Sequence, residues 1–148
     1  MLKEKRFHIV VTIAVAVVML GGVAMTGCSS DDDIPAELIA IWELQGFIVG
    51  GTETPVDDPT KYTVDLQSDG NTNIRADCNN CSGTYTVDGN DLSFGTLACT
   101  IAACPPGSFD IQFQQALGTV SRWEIVDGFL FLNHDGGQLR LRPQPTLF

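Results

Sequence analysis

Four cysteines carry the most specific spacing in this chain. Cys78 and Cys81 form C-x2-C, and Cys99 and Cys104 form C-x4-C. Such a set can hold zinc as thiolates, cycle as a dithiol, or close into two disulfides. No ligand histidine lies near it. A redox pair normally sits at a helix N-terminus inside a βαβ unit. Here Asn79-Asn80 and Ser82-Gly83 surround the pair, between strand-like runs. His134 stands beside Asp135-Gly136-Gly137 and reads as a turn residue. As a general base it would need a nucleophile and an orienting acid, and the sequence supplies neither convincingly. Asp57-Asp58, between Pro55 and Pro59, and Asp31-Asp32-Asp33 are paired acids of the kind used in acid–base work. Their polar surroundings make them solvated charge instead. The stretch from Asp65 to Gly70 starts like a calcium loop, but its third position is Gln67, and Ala76 stands where a bidentate Glu is needed. Gly50-Gly51 is loop, and no phosphate-cradling glycine motif is present. The expectation is no catalytic residue, no metal site and no cofactor.

Residues 1–28 decide which cysteine chemistry applies. Lys3, Lys5 and Arg6 precede an apolar run from Ile9 to Met25, which ends in Thr26-Gly27-Cys28. A basic start, an apolar middle and small residues at the end make an export signal. Met25-Thr26-Gly27-Cys28 resembles the lipobox of bacterial lipoproteins. That resemblance implies cleavage before Cys28, diacylation of its thiol and, often, acylation of the new amine. Two or three acyl chains, at about 0.8 kcal/mol per buried CH2, make an anchor that hardly dissociates. The competing readings are an uncleaved membrane helix, since the run is nearly long enough to span, and ordinary cleavage with Cys28 free. The acidic stretch after Cys28 suits a solvated tether. Ser29 is not the Asp that retains many lipoproteins at the inner membrane, so the resemblance implies the outer membrane, facing the periplasm or the surface. Thiols of an exported chain oxidise, so two disulfides are expected rather than zinc or a redox pair.

Without residues 1–27, which hold three of the eight basic and one of the 18 acidic residues, the chain carries five basic and 17 acidic residues, about −12 by formal charge. That balance argues against nucleic acid and against adsorption on anionic headgroups. About 110 residues past the tether suffice for one domain with one core. The organisation expected is a signal over 1–27, a tether over 28–38, a domain over 39–142 and a tail over 143–148.

The elements that must position the cysteines are mostly strands. Ile39 to Phe47 is the first core-like run, with Trp42 and Leu44 on one face and Ile41 on the other. The stretch 50–59, with two prolines and three acids, reads as loop. Strand-like runs come next at 62–66, 72–76, 84–87, 92–94, 122–126, 129–133 and 138–142. Tyr62, Val64 and Leu66 alternate with polar residues, as do Tyr85 and Val87, and Trp123 and Ile125. Phe129, Phe131, Leu139 and Leu141 continue the buried row. Period two over so many segments predicts an antiparallel sheet with one buried face. Asp69-Gly70, Asp88-Gly89, Asp127-Gly128 and Asp135-Gly136 supply residues that tolerate positive φ, as hairpin turns need. A meander is the simplest topology. Between the strands, Phe109, Phe113 and Leu117 recur four apart, with Ser108 as N-cap and Gly118 at C′. This predicts a short amphipathic helix packed on the sheet.

The same residues resemble a known family. Asp77-Cys78-Asn79-Asn80-Cys81-Ser82-Gly83-Thr84-Tyr85 looks like the central motif of the META domain family, which includes heat-inducible envelope lipoproteins. Leu92-Ser93-Phe94, Cys99-Thr100 and Cys104-Pro105 resemble that family's next strand and its Thr…Cys-Pro loop. The segment with Phe113 and Leu117 resembles its helix, and Trp123 through Leu132 its final hairpin. Trp42-Glu43-Leu44 resembles its opening strand. The resemblance implies a mainly β (α+β) domain: a curved antiparallel sheet or small lipocalin-like barrel with one short helix packed on it. It implies a Cys78–Cys104 bond, which leaves Cys81–Cys99 nested inside; crossed pairing, Cys78–Cys99 with Cys81–Cys104, is the rival. Family members are linked to stress tolerance without an agreed molecular activity. Three function classes remain. The first is a non-catalytic envelope lipoprotein that meets another envelope component, the second a small-ligand-binding barrel, the third a hydrolase or thiol redox protein. A filled core with an exposed apolar patch would favour the first, a lined cavity the second, and clustered titratable groups with shifted pKa values the third.

Overall fold

The computed structural model describes residues 33–145. The signal and Cys28 therefore lie outside the described residues. Among the described residues there are ten strands: β1 (Ala40–Val49), β2 (Thr52–Pro55), β3 (Tyr62–Leu66), β4 (Asn71–Ala76), β5 (Asn79–Asp88), β6 (Asp91–Phe94), β7 (Ala98–Cys99), β8 (Arg122–Val126), β9 (Phe129–His134) and β10 (Gly137–Pro143). One helix, α1 (Asp110–Leu117), comes after β7. Eight strands close in the order β1-β3-β4-β5-β6-β8-β9-β10, with β10 returning to pair with β1. All pairings are antiparallel. The fold is thus the small barrel expected, a meander closed on itself so that β1 and β10 cover each other's edges. β2 borders the second half of β1, and β7 lines β5 beyond the point where β6 ends.

Alternation puts Trp42, Leu44, Val64, Leu66, Ile74, Tyr85, Trp123, Leu139 and Leu141 inside. Phe113, Ala116 and Leu117 of α1 join the same cluster, with the Phe113 ring edge-on to Tyr62 at 5.8 Å. Trp42 donates its indole N–H to the Leu38 carbonyl at 2.9 Å. Leu38, in a 3-10 turn over Ala36–Leu38, is fully buried, so packing begins inside the stretch read as tether. At the other end, Gln144 donates its amide to the Ile41 carbonyl.

Four details differ from the sequence reading. Residues 52–55 are not loop but β2, because Gly50 and Gly51 both take positive φ and turn the chain back along β1. In β9 the buried residues are Leu130 and Leu132, whereas Phe129 and Phe131 are half-buried on the outer face. The turn explains this. Asp127 and Gly128 both adopt positive φ, which pairs Ile125 with Leu130 and Trp123 with Leu132. Paired residues share a face, so inward Trp123 and Ile125 bring the leucines in. At the β9–β10 turn positive φ falls on Gly137 rather than Gly136. Finally, α1 starts after Phe109, not Ser108, and Gly118 is right-handed with φ −64°. Ser108 still serves this end, because its hydroxyl accepts the Asp110 amide at 3.2 Å.

Candidate functional site

The cysteines gather at one place. β4 and β5 are joined by the two-residue turn Asp77-Cys78, with Ala76 opposite Asn79. Asp77 supplies the positive φ, at 56°. Its amide donates to the Lys61 carbonyl at 2.8 Å, and its carboxylate meets the Lys61 ammonium at 3.8 Å. This turn sets Cys78 against Cys104, bonded with Cα atoms 5.5 Å apart. Cys81 lies directly across from Cys99 of β7 and is bonded to it at a Cα separation of 4.0 Å. The bonds are nested. Between them the chain makes a loop of four residues, Thr100-Ile101-Ala102-Ala103, with both ends covalently held.

Asn79 braces that loop from below. It is 2 % exposed. Its side-chain oxygen accepts from the Ala102 amide at 2.7 Å and from the Thr100 hydroxyl at 3.0 Å. Its nitrogen donates to the Ala102 carbonyl at 3.0 Å, to a carboxylate oxygen of buried Asp110 at 3.1 Å, and lies 3.4 Å from the Cys104 sulfur. The Asn80 amide donates to the Thr100 hydroxyl, and the Thr100 amide donates to the Asn80 carbonyl, both at 3.0 Å. Ile101, at the apex, is 99 % exposed. Ala102, Ala103, Pro105 and Pro106 beside it are exposed too. The sequence displays the cysteines but not the brace. An Asn at the first position of a strand shows its role only once the loop is folded over it.

His134 ends β9 rather than sitting in the turn. Its Nδ1 accepts from the Gly136 amide at 3.1 Å, while Nε2 is enclosed without a hydrogen-bond partner among the described residues. Burial holds its pKa below the ordinary 6.5, against a smaller opposing pull from Asp135. It borders an outer hollow of about 340 Å³ with Phe47, Gln112, Gln115 and Ala116. Thr119 on its rim carries a hydroxyl, which donates to the Ala116 carbonyl at 3.3 Å, and no carboxylate lines the hollow to orient the imidazole. Asp57 and Asp58 stay on the surface, where Asp58 caps a 3-10 turn by accepting from the Thr60 amide. Among the described residues no cluster of three or more His, Cys, Asp or Glu is placed to hold a metal. The barrel axis is occupied by side chains, and the larger hollows lie on the outer wall. One of about 630 Å³ is floored by Asn73, Asn80 and Ser82, and one of about 700 Å³ lies where β6 meets β8. One charged residue escaped the sequence reading. Glu43 is buried and faces Arg142 at 3.0 Å across the β1–β10 pairing. The pair fixes register rather than creating a reactive group.

Comparisons with known proteins agree with this geometry. The chain is similar to a protein from Burkholderia xenovorans solved by NMR, at 26 % identity and a TM-score of 0.62, over 73 % of this chain and 83 % of that one. It shares its fold with a DUF4847 family protein from Bacteroides vulgatus ATCC 8482, at 13 % identity and a TM-score of 0.54, over 76 % of this chain and 97 % of that one. A search of curated proteins gives no match. Residues 36–146 match the META domain, a span that holds all the described strands, the helix and both disulfides, and the chain belongs to the META domain family.

Proposed function

We propose that this chain is a non-catalytic envelope lipoprotein, hung from the outer membrane by an acylated Cys28, whose META domain meets another envelope-side protein through the loop after β7. A role in stress tolerance accords with the resemblance to the heat-inducible envelope lipoproteins. The observation that carries the reading is the pairing of a filled barrel with Ile101, fully exposed at the tip of a doubly tethered, internally braced loop. An isolated exposed aliphatic is ordinary. An exposed apolar run that the fold holds rigid is not, and points to recognition. The cluster of buried side chains inside the barrel favours this reading over a lipocalin-like interior ligand site. Among the described residues no helix is long and apolar enough to cross a membrane, which suits attachment through the N-terminus.

Two experiments test this. Mass spectrometry of the mature N-terminus is expected to find acylated Cys28; an intact Met1 or a cut elsewhere would overturn the anchor. A photo-crosslinking residue at position 101, compared with one at exposed Asp69 in the β3–β4 turn, is expected to give a discrete protein adduct from 101 alone. Adducts from neither position, with a small molecule retained in native mass spectra, would replace the interaction reading by the ligand one.

A further inference from the structure

We propose that Thr100–Ala103 is a substrate-like loop that captures and inhibits a serine endopeptidase with a shallow apolar S1 pocket. Ile101 fills the pocket, and the Ile101–Ala102 bond lies across the enzyme's serine. The proposal rests on the interaction reading and names the partner's class.

A peptide enters a protease as an exposed extended segment with a side chain free for the S1 pocket and main-chain groups free for the enzyme. Ile101 meets the requirements of exposure, a free side chain and free main-chain groups. It is 99 % exposed, it lies outside the strands and helix, and no hydrogen bond among the described residues uses its amide or carbonyl. Its neighbours are fixed instead. Thr100 is tied to Asn80 by two bonds, and the Ala102 amide and carbonyl both close on Asn79. The loop therefore loses little conformational freedom on docking. A β-branched aliphatic side chain suits a small apolar S1 pocket and not a deep one floored by an acid.

The same bracing decides between substrate and inhibitor. The serine oxygen adds to the Ile101 carbonyl carbon. The C–N bond to Ala102 breaks, and the Ala102 amine leaves with a proton from the enzyme's histidine. In an ordinary substrate that amine diffuses away before water attacks the acyl group. Here it stays. Ala102 is held by Asn79 and, through Cys104, by the bond to Cys78, while Thr100-Ile101 is held through Cys99 by the bond to Cys81. The amine sits beside the acyl carbon at high effective concentration. It attacks in turn, the peptide bond re-forms, and the serine recovers its proton. Cleavage is reversed faster than it is completed, and the enzyme remains occupied. The chain's acidity favours encounter with a cationic enzyme surface.

The test uses the full lipidated chain in detergent against pancreatic elastase, whose S1 pocket is small, and trypsin, whose S1 pocket carries an acid. Stoichiometric, slowly reversed inhibition of elastase and none of trypsin is expected. Ile101→Lys is expected to reverse that preference, weakening elastase inhibition by about 100-fold or more, the span of an interface hot spot. Ile101 is wholly exposed, so this substitution leaves the fold intact. Thr100→Val removes both bonds of that hydroxyl, to the Asn80 amide and the Asn79 oxygen, and is expected to speed cutting at 101–102 by about tenfold or more. No inhibition by either the native chain or Ile101→Lys, or rapid cutting at 101–102 that frees active enzyme, would overturn the proposal. So would Ile101-dependent sedimentation with neutral phosphatidylcholine vesicles in place of inhibition, which would make the loop a lipid contact. If inhibition fails while the crosslink from position 101 persists, the protease falls and the interaction reading stands.

Discussion

Asn79→Ala is the substitution that best tests how the loop is held. The native amide is buried and satisfies two atoms of Ala102, the Thr100 hydroxyl and the Asp110 carboxylate. Its bond to the buried carboxylate is the costly loss, at about 1.5–3 kcal/mol for a hydrogen bond to a charged group. The three bonds to the loop add less than their nominal ~1 kcal/mol each, because Thr100 and Ala102 are exposed and water replaces part of what is lost. About 3 kcal/mol in total is expected. At roughly 4 °C per kcal/mol for a domain of about 110 residues, Tm should fall by about 12 °C. Asn71→Ala is the control. Its amide also donates to a carboxylate, that of Asp69 at 2.7 Å, but on an exposed turn, where water replaces the bond and the loss should be small. Urea melts of both variants, with an Asn79→Ala/Asp110→Ala cycle, separate the pair from the rest. Equal, small losses for Asn79→Ala and Asn71→Ala would refute the brace.

Other expectations rest on the same contacts. Burial keeps the His134 imidazole below 6.5, so the unfolded chain takes up its proton first as pH falls. The fold should therefore lose stability below about pH 6.5, and His134→Gln should flatten that part of the Tm profile while leaving structure and cellular phenotype unchanged; an unchanged slope would sink the account. The Tyr85 phenol, which donates to the Gln67 carbonyl at 2.7 Å, is pushed up to about 12, by burial first and then by Asp69 and Asp65. Its folded value lies above the unfolded 10.0, so its contribution is complete below pH 10 and fades above it; absorbance titration should show the late phenolate, and Tyr85→Phe should abolish it. Opening the outer bond, whose cysteines are 26 residues apart, should cost about 3–4 kcal/mol by loop entropy. Removing the inner bond with the outer one intact should cost less, about 2–3 kcal/mol, because the chain is already constrained. Calorimetry of Cys81→Ser/Cys99→Ser measures that difference, and a loss of activity without loss of Tm would contradict a structural role.

Much of the barrel is legible as alternation. Tyr62-Thr63-Val64-Asp65-Leu66 reads inside-out at every step, and the structure follows it. Where both faces carry apolar residues, alternation is silent. Phe129-Leu130-Phe131-Leu132 offers two equal faces, and the turn before it chooses the leucines. Phe129 then rests beneath the Arg140 guanidinium, 4.8 Å from its ring centre, on the outer wall. β2 is hidden by composition, since Thr-Glu-Thr-Pro reads as loop; a free edge on β1 overrides local preference. Gly46 is part of the same arrangement. A Cβ there would fall 2.6 Å from Glu53, which needs that space to reach Arg140 at 2.7 Å. The cysteines announce themselves by spacing. The apolar loop between them does not, because Ile-Ala-Ala resembles core until nothing covers it.

The barrel's first strand is sealed by its last. Six residue pairs, from Trp42–Pro143 to Ile48–Gln138, join β1 to β10. These contacts join residues about 90–101 apart in sequence, and pairing over such distances is slow because its loop-closure cost comes first. They also fix an order of events. A chain that is being synthesised, or threaded through a membrane pore from its N-terminus, presents β1 long before β10 exists on the same side. Until then one edge of β1 has no mate and the cylinder cannot shut. If the chain is exported as proposed, closure of the barrel waits until β10 has followed β1 across, a condition that suits a narrow translocation channel. The timing is written into the strand order itself.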